Sequence, residues 1–317
     1  MRSVVSEPLG ASVVEPILKA EPGFRSGFIA IIGRPNVGKS LLLNRFCEKK
    51  IAIISDKPQT TRNRITGVAH LPEAQVVFID TPGIHDPPKL LNEYMVRVAT
   101  GTLKEVDAVL WVIDASAPLA PDDERILNLL EEVETPVVAV LNKIDLMARK
   151  ETLLELIDQI KDLHPFVDIV PISALTGEGV GPLLAALPRH LDEGPQYFPP
   201  DMVTDQPEPF IIAEFIREKI TNLTHQEIPY ATAVVVDEME WEEERDLLRV
   251  EAIIYVERDS QKGIVIGKGG SMLKRIGSSA REDLEALFGA KLFLKLLVKV
   301  RKNWSKDSSA LRRLGYS

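Results

Sequence analysis

The sequence contains a single cysteine, Cys47, and no apolar run that approaches the length needed to cross a bilayer, which is about 18 to 20 residues. One cysteine excludes an internal disulfide framework. Its place in an apolar helical stretch favours a small buried side chain over a nucleophile. The first 26 residues also lack the compact apolar core and cleavage site of a signal peptide. We therefore expect a cytoplasmic protein in a reducing compartment.

Net positive charge is also lacking, because the formal charge at pH 7 is −9. This balance excludes a protein that coats nucleic acid over its whole surface. The sign reverses locally: between Lys262 and Lys306 there are eleven basic residues and three acidic ones. This asymmetry predicts a surface on the C-terminal part of the chain that faces a polyanion.

A length of 317 residues with 45% apolar content predicts two domains. Short apolar runs alternate with helical patterns in the first half, which is typical of an α/β doubly wound, mainly parallel sheet. Six prolines between residues 188 and 209 place a linker there. The predicted strands are 28–33, 75–80, 107–114, 136–142 and 167–173. The predicted organisation is a poorly ordered leader (1–26), a first domain (27–190), a proline-rich linker (191–209) and a second domain (210–317).

The second domain shows a different order of elements. A helix (210–224) is followed by two strands (230–237 and 247–257), a short helix, a glycine-rich turn, a second helix and the strand KLFLKLLVKV. This order is α-β-β-α-α-β and predicts an α+β domain. The acidic stretch DEMEWEEERD (237–246) is interpreted as a solvated hairpin loop rather than a metal or protein site.

The segment GRPNVGKS follows a predicted strand and precedes an apolar helical stretch. It matches the P-loop pattern G-x-x-x-x-G-K-S, whose glycines let backbone N–H groups and a helix N-terminus face phosphates. Lys39 would reach the β- and γ-phosphates and Ser40 would bind Mg²⁺. This loop alone does not distinguish ATP from GTP. The predicted nucleotide-binding residues here are Gly33, Arg34, Pro35, Asn36, Val37, Gly38, Lys39 and Ser40.

Three further motifs close successive predicted strands and therefore lie at the same edge of the sheet. In DTPG, Asp80 would hold Mg²⁺ through a water and the Gly83 amide would sense the γ-phosphate. In NKID, Asp145 would accept from both N1–H and the exocyclic amine of guanine, a pair that adenine lacks. In SAL, the Ala174 N–H would bind the guanine O6. The candidate residues are Asp80, Thr81, Pro82, Gly83, Asn142, Lys143, Asp145, Ser173, Ala174 and Leu175.

The polar loop KPQTTRNRITG (57–67) is a candidate switch, which orders only when γ-phosphate and Mg²⁺ bind a threonine hydroxyl. We assign this role to Thr61 rather than Thr60, because the following arginine matches a related T-R pattern. The predicted metal ligands are Ser40, Thr61 and Asp80, and the predicted catalytic residues are Lys39, Thr61 and Gly83.

Ile84 stands where Ras-like enzymes place the glutamine that orients the attacking water. An isoleucine cannot orient water by hydrogen bonding. Intrinsic hydrolysis should therefore be slow, with the missing group supplied by a partner, a cation or bound substrate. His85 follows, and a surface histidine of the switch is favoured there over a direct catalytic role.

The segment VIGKGGSMLKRIG places a G-x-x-G turn between two predicted helices within the basic region. A tight glycine turn lets the backbone approach single-stranded RNA closely, with lysine and helix dipoles facing its phosphates. The alternative is an ordinary packing loop between helices with solvated lysines. The candidate RNA-binding residues are Ile266, Gly267, Lys268, Gly269, Gly270, Lys274 and Arg275.

In combination, GRPNVGKS, QTTRNRITG, DTPGIH, NKID, PISALTG, IREKI, VIGKGG and the tail W-x-x-D-x-x-x-L-R-x-L-G-Y resemble the Era GTPase family over residues 27–316. The resemblance implies a Ras-like P-loop domain joined to a type II KH domain, with GTP or GDP and Mg²⁺ as ligands. It also implies binding to the 3′ end of small-subunit ribosomal RNA, a role in assembly of the 30S-type subunit, and peripheral contact with the cytoplasmic face of the inner membrane.

Two positions refine this resemblance. Asn36 matches an asparagine that helps to place a monovalent cation, such as K⁺, in similar GTPases. Leu41 replaces the threonine that many relatives carry after the P-loop serine, but the Mg²⁺ ligand is retained and activity should be too. We expect a monomer.

Three competing functions remain open at this stage. The first is a GTPase that acts at a membrane surface or on a protein partner. The second is an RNA-binding protein with a vestigial nucleotide site, which the intact Lys39, Asp80 and Asp145 disfavour. The third is a kinase or ATPase, which NKID disfavours and nucleotide competition would test.

Overall fold

The computed structural model describes residues 22–57, 60–84, 90–147 and 150–316. The first domain is built on a six-stranded sheet in the order β2-β3-β1-β4-β5-β6. All neighbouring pairs are parallel except β2 with β3. Its strands are β1 Arg25–Ile32, β2 Ile65–Leu71, β3 Ala74–Asp80, β4 Ala108–Asp114, β5 Val137–Asn142 and β6 Asp168–Pro171. The predicted parallel-dominated α/β sheet is confirmed.

Helices cover both faces of this sheet, which explains why its central strands are apolar on both sides. One core layer contains Leu42, Phe46 and Phe78. The other contains Trp111 and Ile126. The helices are α1 Lys39–Phe46, α2 Leu90–Thr102, α3 Pro121–Leu130, α4 Lys150–Ile160 and α5 Val180–Ala186.

The second domain has a three-stranded sheet in the order β7-β8-β9, with the first pair antiparallel and the second parallel. Its elements are α6 Glu208–Leu223, β7 Ala233–Glu242, β8 Leu247–Val256, α7 Asp259–Ile266, α8 Ser271–Phe288, β9 Lys291–Val300 and α9 Ser308–Arg313. Up to β9, the predicted α-β-β-α-α-β order is confirmed. In β9 the even-numbered side chains face the helices and the odd-numbered lysines face outward, as a period of two requires.

The β7–β8 hairpin is tighter than the acidic sequence predicts. Strand β7 continues through Glu242, so six residues of the predicted 237–246 loop lie in the strand. Only the turn around residues 243–246 connects the strands, and Asp246 takes a φ of 47°. Charged residues along a solvent-facing strand look like a loop in sequence, because polarity reports exposure rather than backbone conformation.

The proline-rich segment packs against the first domain. The Val68 N–H donates to the Val203 carbonyl at 2.9 Å. The Gln75 side-chain amide donates to the Phe198 carbonyl at 2.8 Å, and Phe198 is buried. These contacts cover the edge and one face of the β2–β3 hairpin. The domain boundary within 191–209 stays a prediction, but the segment is not an unattached tether.

At the N-terminal side, β1 begins at Arg25, within the predicted leader, and residues 1–21 lie outside the described residues. None of the helices in the described part of the chain has both the length and the apolar composition that spanning a membrane requires.

Candidate functional site

The loop between β1 and α1 has the backbone that its glycines predict. Gly33 and Gly38 have φ values of 155° and 101°. A Cβ on Gly33 would lie 2.5 Å from the Val112 carbonyl oxygen, and one on Gly38 would lie 2.3 Å from the Asn142 amide nitrogen. Side chains are therefore excluded at both positions. The N-terminus of α1 opens into this loop, which makes an anion-binding cradle.

Lys39 is buried at the base of the cradle. Its Nζ donates to the carbonyls of Gly33 and Arg34, both at 3.0 Å. Burial lowers the pKa of Lys39 to about 8, while the Asp80 carboxylate acts in the opposite direction. A phosphate group beside this amine would restore its full charge. Lys39 thus lies at the base of the loop, and its role as a phosphate ligand stays a prediction.

The three predicted metal ligands meet next to Lys39. The Ser40 hydroxyl lies 2.8 Å from the Thr61 hydroxyl and donates to Asp80 Oδ2 at 2.5 Å. Asp80 Oδ1 is buried and has no hydrogen-bond partner among the described residues. Two hydroxyls and a buried carboxylate with an unsatisfied oxygen fit Mg²⁺, which prefers oxygen ligands. Thr60 points elsewhere, since its hydroxyl donates to the Lys57 carbonyl.

Burial raises the pKa of Asp80 to about 6, although Lys39, Ser40 and Thr61 each oppose the shift. Only the carboxylate binds Mg²⁺, so its affinity is retained above the pKa and lost as the pH falls through it. Between about pH 7.5 and pH 5, Mg²⁺ affinity should fall about tenfold from this group alone. We expect this loss in Mg²⁺ titrations of GDP binding. An Asp80→Asn variant is the control, because it loses the titration of Asp80 but keeps those of Lys39 and the nucleotide phosphates, and an identical pH profile for both proteins would contradict the prediction.

The DTPG motif lies against the P-loop. A Cβ on Gly83 would lie 2.8 Å from the Pro35 backbone nitrogen, so this backbone passes close to where a γ-phosphate would sit. The Thr81 hydroxyl is committed to the Ile31 carbonyl at 2.9 Å. Ile84 is buried in the core, which agrees with its inability to orient water, and His85 lies outside the described residues.

Arg34, a predicted nucleotide-binding residue, contacts the cradle through its backbone. Its guanidinium turns away from the cradle, and Nε lies 3.2 Å from Asp123 Oδ2 on α3. Only the backbone of Arg34 takes part, through the carbonyl that accepts from Lys39. The pattern of the loop specifies its glycines, lysine and serine, but it does not say where the variable side chains point.

The NKID and SAL motifs meet at the carboxyl edge of the sheet. The Asn142 amide donates to the Val37 carbonyl at 2.7 Å and so ties this loop to the P-loop. Asp145 is exposed, and its Oδ1 accepts from the Ser173 hydroxyl at 2.5 Å. The second carboxylate oxygen can therefore face a base. The Ala174 N–H donates to Asn142 Oδ1 at 2.8 Å, so a bond to guanine O6 would require this N–H to be shared or exchanged.

Sequence reasoning missed two residues that support the guanine loop. Asp114, at the end of β4, accepts from Lys143 Nζ at 2.7 Å. Burial opposes its ionisation, but hydrogen bonds from Lys143 and Ser116 prevail and lower the pKa of Asp114. Arg45 on α1 donates to the Ala174 carbonyl at 3.0 Å. Asp114 could have been found from its position at the end of a parallel strand, whereas no pattern in the sequence points to Arg45.

A cavity of 490 Å³ lies over the phosphate side of this site. It extends from the P-loop, Ser40 and Thr61 to Lys143, and residues 53–56 form one wall. A nucleotide bound with its phosphates on the P-loop would extend its base toward Asp145.

A second cavity, of 420 Å³, lies between α8 and β9 in the second domain. Of the predicted RNA-binding residues, Gly270 and Lys274 line it, whereas Arg275 is exposed and does not. The lining residues that the prediction missed are Leu273, Gly277, Ser278, Arg281, Leu292, Phe293, Leu294 and Leu296. Positions 270, 274, 277 and 281 are three or four residues apart and therefore share one helical face. This face could have been predicted from the sequence.

The G-x-x-G turn lies at the mouth of this cleft. Gly267, Gly269 and Gly270 all have positive φ, with values of 72°, 60° and 79°. Helix α8 begins directly after the turn, so its positive end faces outward there. Ile266, Lys268 and Gly269 lie beside the cleft rather than in its lining.

The sheet order, P-loop and guanine loop define a P-loop GTPase domain, and it is joined here to a KH domain. A family model described as "50S ribosome-binding GTPase" matches residues 28–143, and a KH-domain model matches residues 227–305. GTPase Era of Syntrophus aciditrophicus is 55% identical over 93% of this chain and 96% of its own length. GTPase Era of Geobacter metallireducens is 54% identical over 93% and 98%.

Two solved structures agree with these relatives. A crystal structure of Era in complex with MgGDPNP and nucleotides 1506–1542 of 16S ribosomal RNA has a TM-score of 0.90 and 41% identity, covering 93% of this chain and 99% of that one. A variant of Aquifex aeolicus Era bound to GDP·AlF4⁻ has the same score and identity, covering 93% and 100%. The chain belongs to the Era GTPase family, and it hydrolyses GTP.

Proposed function

We propose that this protein is a GTP-driven switch that binds the 3′ end of small-subunit ribosomal RNA and acts in assembly of the small ribosomal subunit. The observation that supports this most is the basic cleft between α8 and β9 in the same chain as a complete guanine-nucleotide site. The similar Era structure that holds both MgGDPNP and a 16S ribosomal RNA segment supports the choice of RNA.

The nucleotide site would act by holding the phosphates and Mg²⁺ in fixed positions. Lys39 and the P-loop amides hold the phosphates, while Ser40, Thr61 and Asp80 hold Mg²⁺. When bound, Mg²⁺ would neutralise charge that develops on the β- and γ-phosphates. The Gly83 amide would donate to the γ-phosphate. Hydrolysis without a partner should be slow, because the buried Ile84 orients no water.

A monovalent cation is one candidate for the missing group. Asn36 lies at the mouth of the cavity with a φ of 64°, and its side-chain amide donates to the Asp56 carbonyl. This contact places an amide and a backbone carbonyl near the phosphate site, where K⁺ would find oxygen ligands. We include K⁺ in the proposal on this basis.

The RNA cleft would combine charge with apolar contact. Lys274 and Arg281 lie on its helical wall, and Phe293 lies on its strand wall with 45% of its surface exposed. Cations would pair with phosphates, and an exposed aromatic ring supports base stacking. A membrane target would instead favour basic residues along the polar face of an amphipathic helix. Here basic residues line a cleft, which favours RNA.

RNA binding by the purified full-length protein tests this function. We expect tighter binding of a small-subunit 3′-end oligonucleotide than of a scrambled one at near-physiological salt. The affinity should rise at least about fivefold with GDPNP relative to GDP or no nucleotide, since coupled sites of this kind differ by about 5- to 150-fold. Fluorescence anisotropy at fixed salt measures both differences.

The adjacent pair Lys274 and Arg275 provides a matched control. Lys274→Gln should weaken binding, whereas Arg275→Gln removes the same charge outside the cleft and should have less effect. Weak binding that depends on neither sequence nor nucleotide would reject the RNA function. Binding to anionic vesicles in the same assay would then support the membrane alternative.

A further inference from the structure

The segment between α1 and β2, residues 50–64, lies between the nucleotide site and the KH domain; we call it the switch segment. Its described residues are 50–57 and 60–64. On one side, the Thr61 hydroxyl reaches Ser40 and lies 3.4 Å from Asp80 Oδ2. The opposite side of the segment contacts the KH domain.

Arg62, the next residue, is buried within the KH domain with 2% of its surface exposed. Its guanidinium donates to the Thr232 and Pro229 carbonyls, each at 2.8 Å. It also lies 3.1 Å from the hydroxyl of Tyr316. A buried guanidinium is tolerated only when such acceptors are present. The KH domain therefore supplies a socket for this side chain.

Other described residues of the switch segment also contact the KH domain. Ile53 is a fully buried member of the KH-domain core, and the Ile54 N–H donates to Glu218 Oε1 at 2.8 Å. Lys57 donates to two carbonyls at the C-terminal end of α6, where a cation is favoured. Arg217 of α6 donates to the Thr60 carbonyl. The KH domain thus holds the segment on both sides of Thr61, through the backbone before it and through the Arg62 side chain after it.

We propose that Arg62 is a positioning residue for Thr61, through which the KH domain sets how tightly the GTPase domain holds a nucleoside triphosphate with Mg²⁺. Consecutive Cα atoms are about 3.8 Å apart, so an anchored Arg62 confines the Thr61 hydroxyl to the vicinity of Ser40 and Asp80. Without this anchor the contacts before Thr61 would remain, and the rest of the ordering at Thr61 would have to come from the binding energy of the nucleotide.

The effect should depend on the γ-phosphate. Thr61 would help to hold the Mg²⁺ of a bound nucleoside triphosphate, whereas GDP binding would rely on the P-loop and the guanine loop, which Arg62 does not touch. A loss confined to the triphosphate separates positioning from a general structural role. The inference rests on the proposed Mg²⁺ role of Thr61.

The test uses the full-length protein with Mg²⁺ and compares GDP and GDPNP affinities by calorimetry. Arg62→Ala should weaken GDPNP about tenfold and leave GDP within about twofold. The matched control is Arg64→Ala, two residues along the same segment. Arg64 makes an exposed ion pair with Glu105 at 3.0 Å and does not enter the KH domain, so both affinities should be unchanged.

Tyr316→Phe provides a gentler change if Arg62→Ala does not fold. It removes one partner of Arg62 but keeps the ring that stacks on Trp304, and a smaller loss confined to GDPNP is expected. Equal losses for both nucleotides, or none, in the folded variants would overturn the inference. Thr61→Ala separates the two levels: if it spares GDPNP, the proposed role of Thr61 fails, and if it alone weakens GDPNP, only the role of Arg62 fails.

Discussion

Replacing Asp145 with asparagine should weaken GTP binding by about 100-fold or more and increase the affinity for xanthosine triphosphate. Guanine presents N1–H and an exocyclic amine to one carboxylate. An asparagine can accept from N1–H, but its amide group would then face the guanine amine, donor against donor. Xanthine carries a carbonyl in place of that amine and restores a complementary pair. Competition between GTP and xanthosine triphosphate for a fluorescent nucleotide measures the exchange of specificity.

The surroundings of Asp145 make this substitution interpretable. Ser173 donates to one carboxylate oxygen at 2.5 Å and can equally donate to an asparagine carbonyl, so the loop should keep its shape. Asp158→Asn is the control, because Asp158 is exposed and pairs only with Lys161 in the described structure. Unchanged selectivity in Asp145→Asn would reject the guanine assignment. Loss of affinity for both nucleotides would indicate that the loop no longer keeps its structure.

Much of the nucleotide site could be predicted from sequence because its parts are local. Gly33 and Gly38 occur where the backbone has no room for a Cβ, and Asp80 and Asn142 each end a strand. The carboxyl ends of neighbouring parallel strands meet without further information. The order of the KH elements could also be predicted, because their patterns are local. Strand β9, for example, alternates strictly between buried and exposed side chains.

The contacts across the domain boundary could not be predicted in this way. Arg62 and Arg217 look like solvated charges in sequence, and only docking of the two domains shows that both are buried. Strand β2 was also missed, because Thr66, Gly67 and His70 interrupt the apolar run and the residues that cover it are far along the chain. Long-range packing of this kind overrides local pattern.

In the proposed RNA-binding cleft between α8 and β9, neighbours in sequence and neighbours in space differ within one helix. The G-x-x-G turn drew attention to neighbours in sequence, which placed Arg275 with Lys274. The helix instead places Arg281 with Lys274, one face and two turns apart. Residues near a motif in sequence are therefore a weaker guide than residues on the same helical face.

Gly269→Asp should abolish RNA binding while GTP binding is retained. Gly269 lies in the turn at the mouth of the cleft with a φ of 60°, and a Cβ there would meet nothing within 4 Å. Aspartate therefore fits sterically and tolerates this left-handed backbone better than most residues. Its carboxylate would face the RNA phosphates. Like-charge contacts cost several kcal/mol, so affinity should fall by about 100-fold or more.

Gly269→Asn isolates the charge from the shape, because asparagine has nearly the same size and the same tolerance of positive φ. We expect it to retain far more RNA affinity than aspartate, as measured by anisotropy with the 3′-end oligonucleotide, and both variants to bind GDP like the parent protein. Equal losses for asparagine and aspartate would show that steric approach of the backbone, rather than charge, determines binding at this turn. Parallel loss of GDP binding would mean that the turn supports the fold of the whole chain, which its open surroundings argue against.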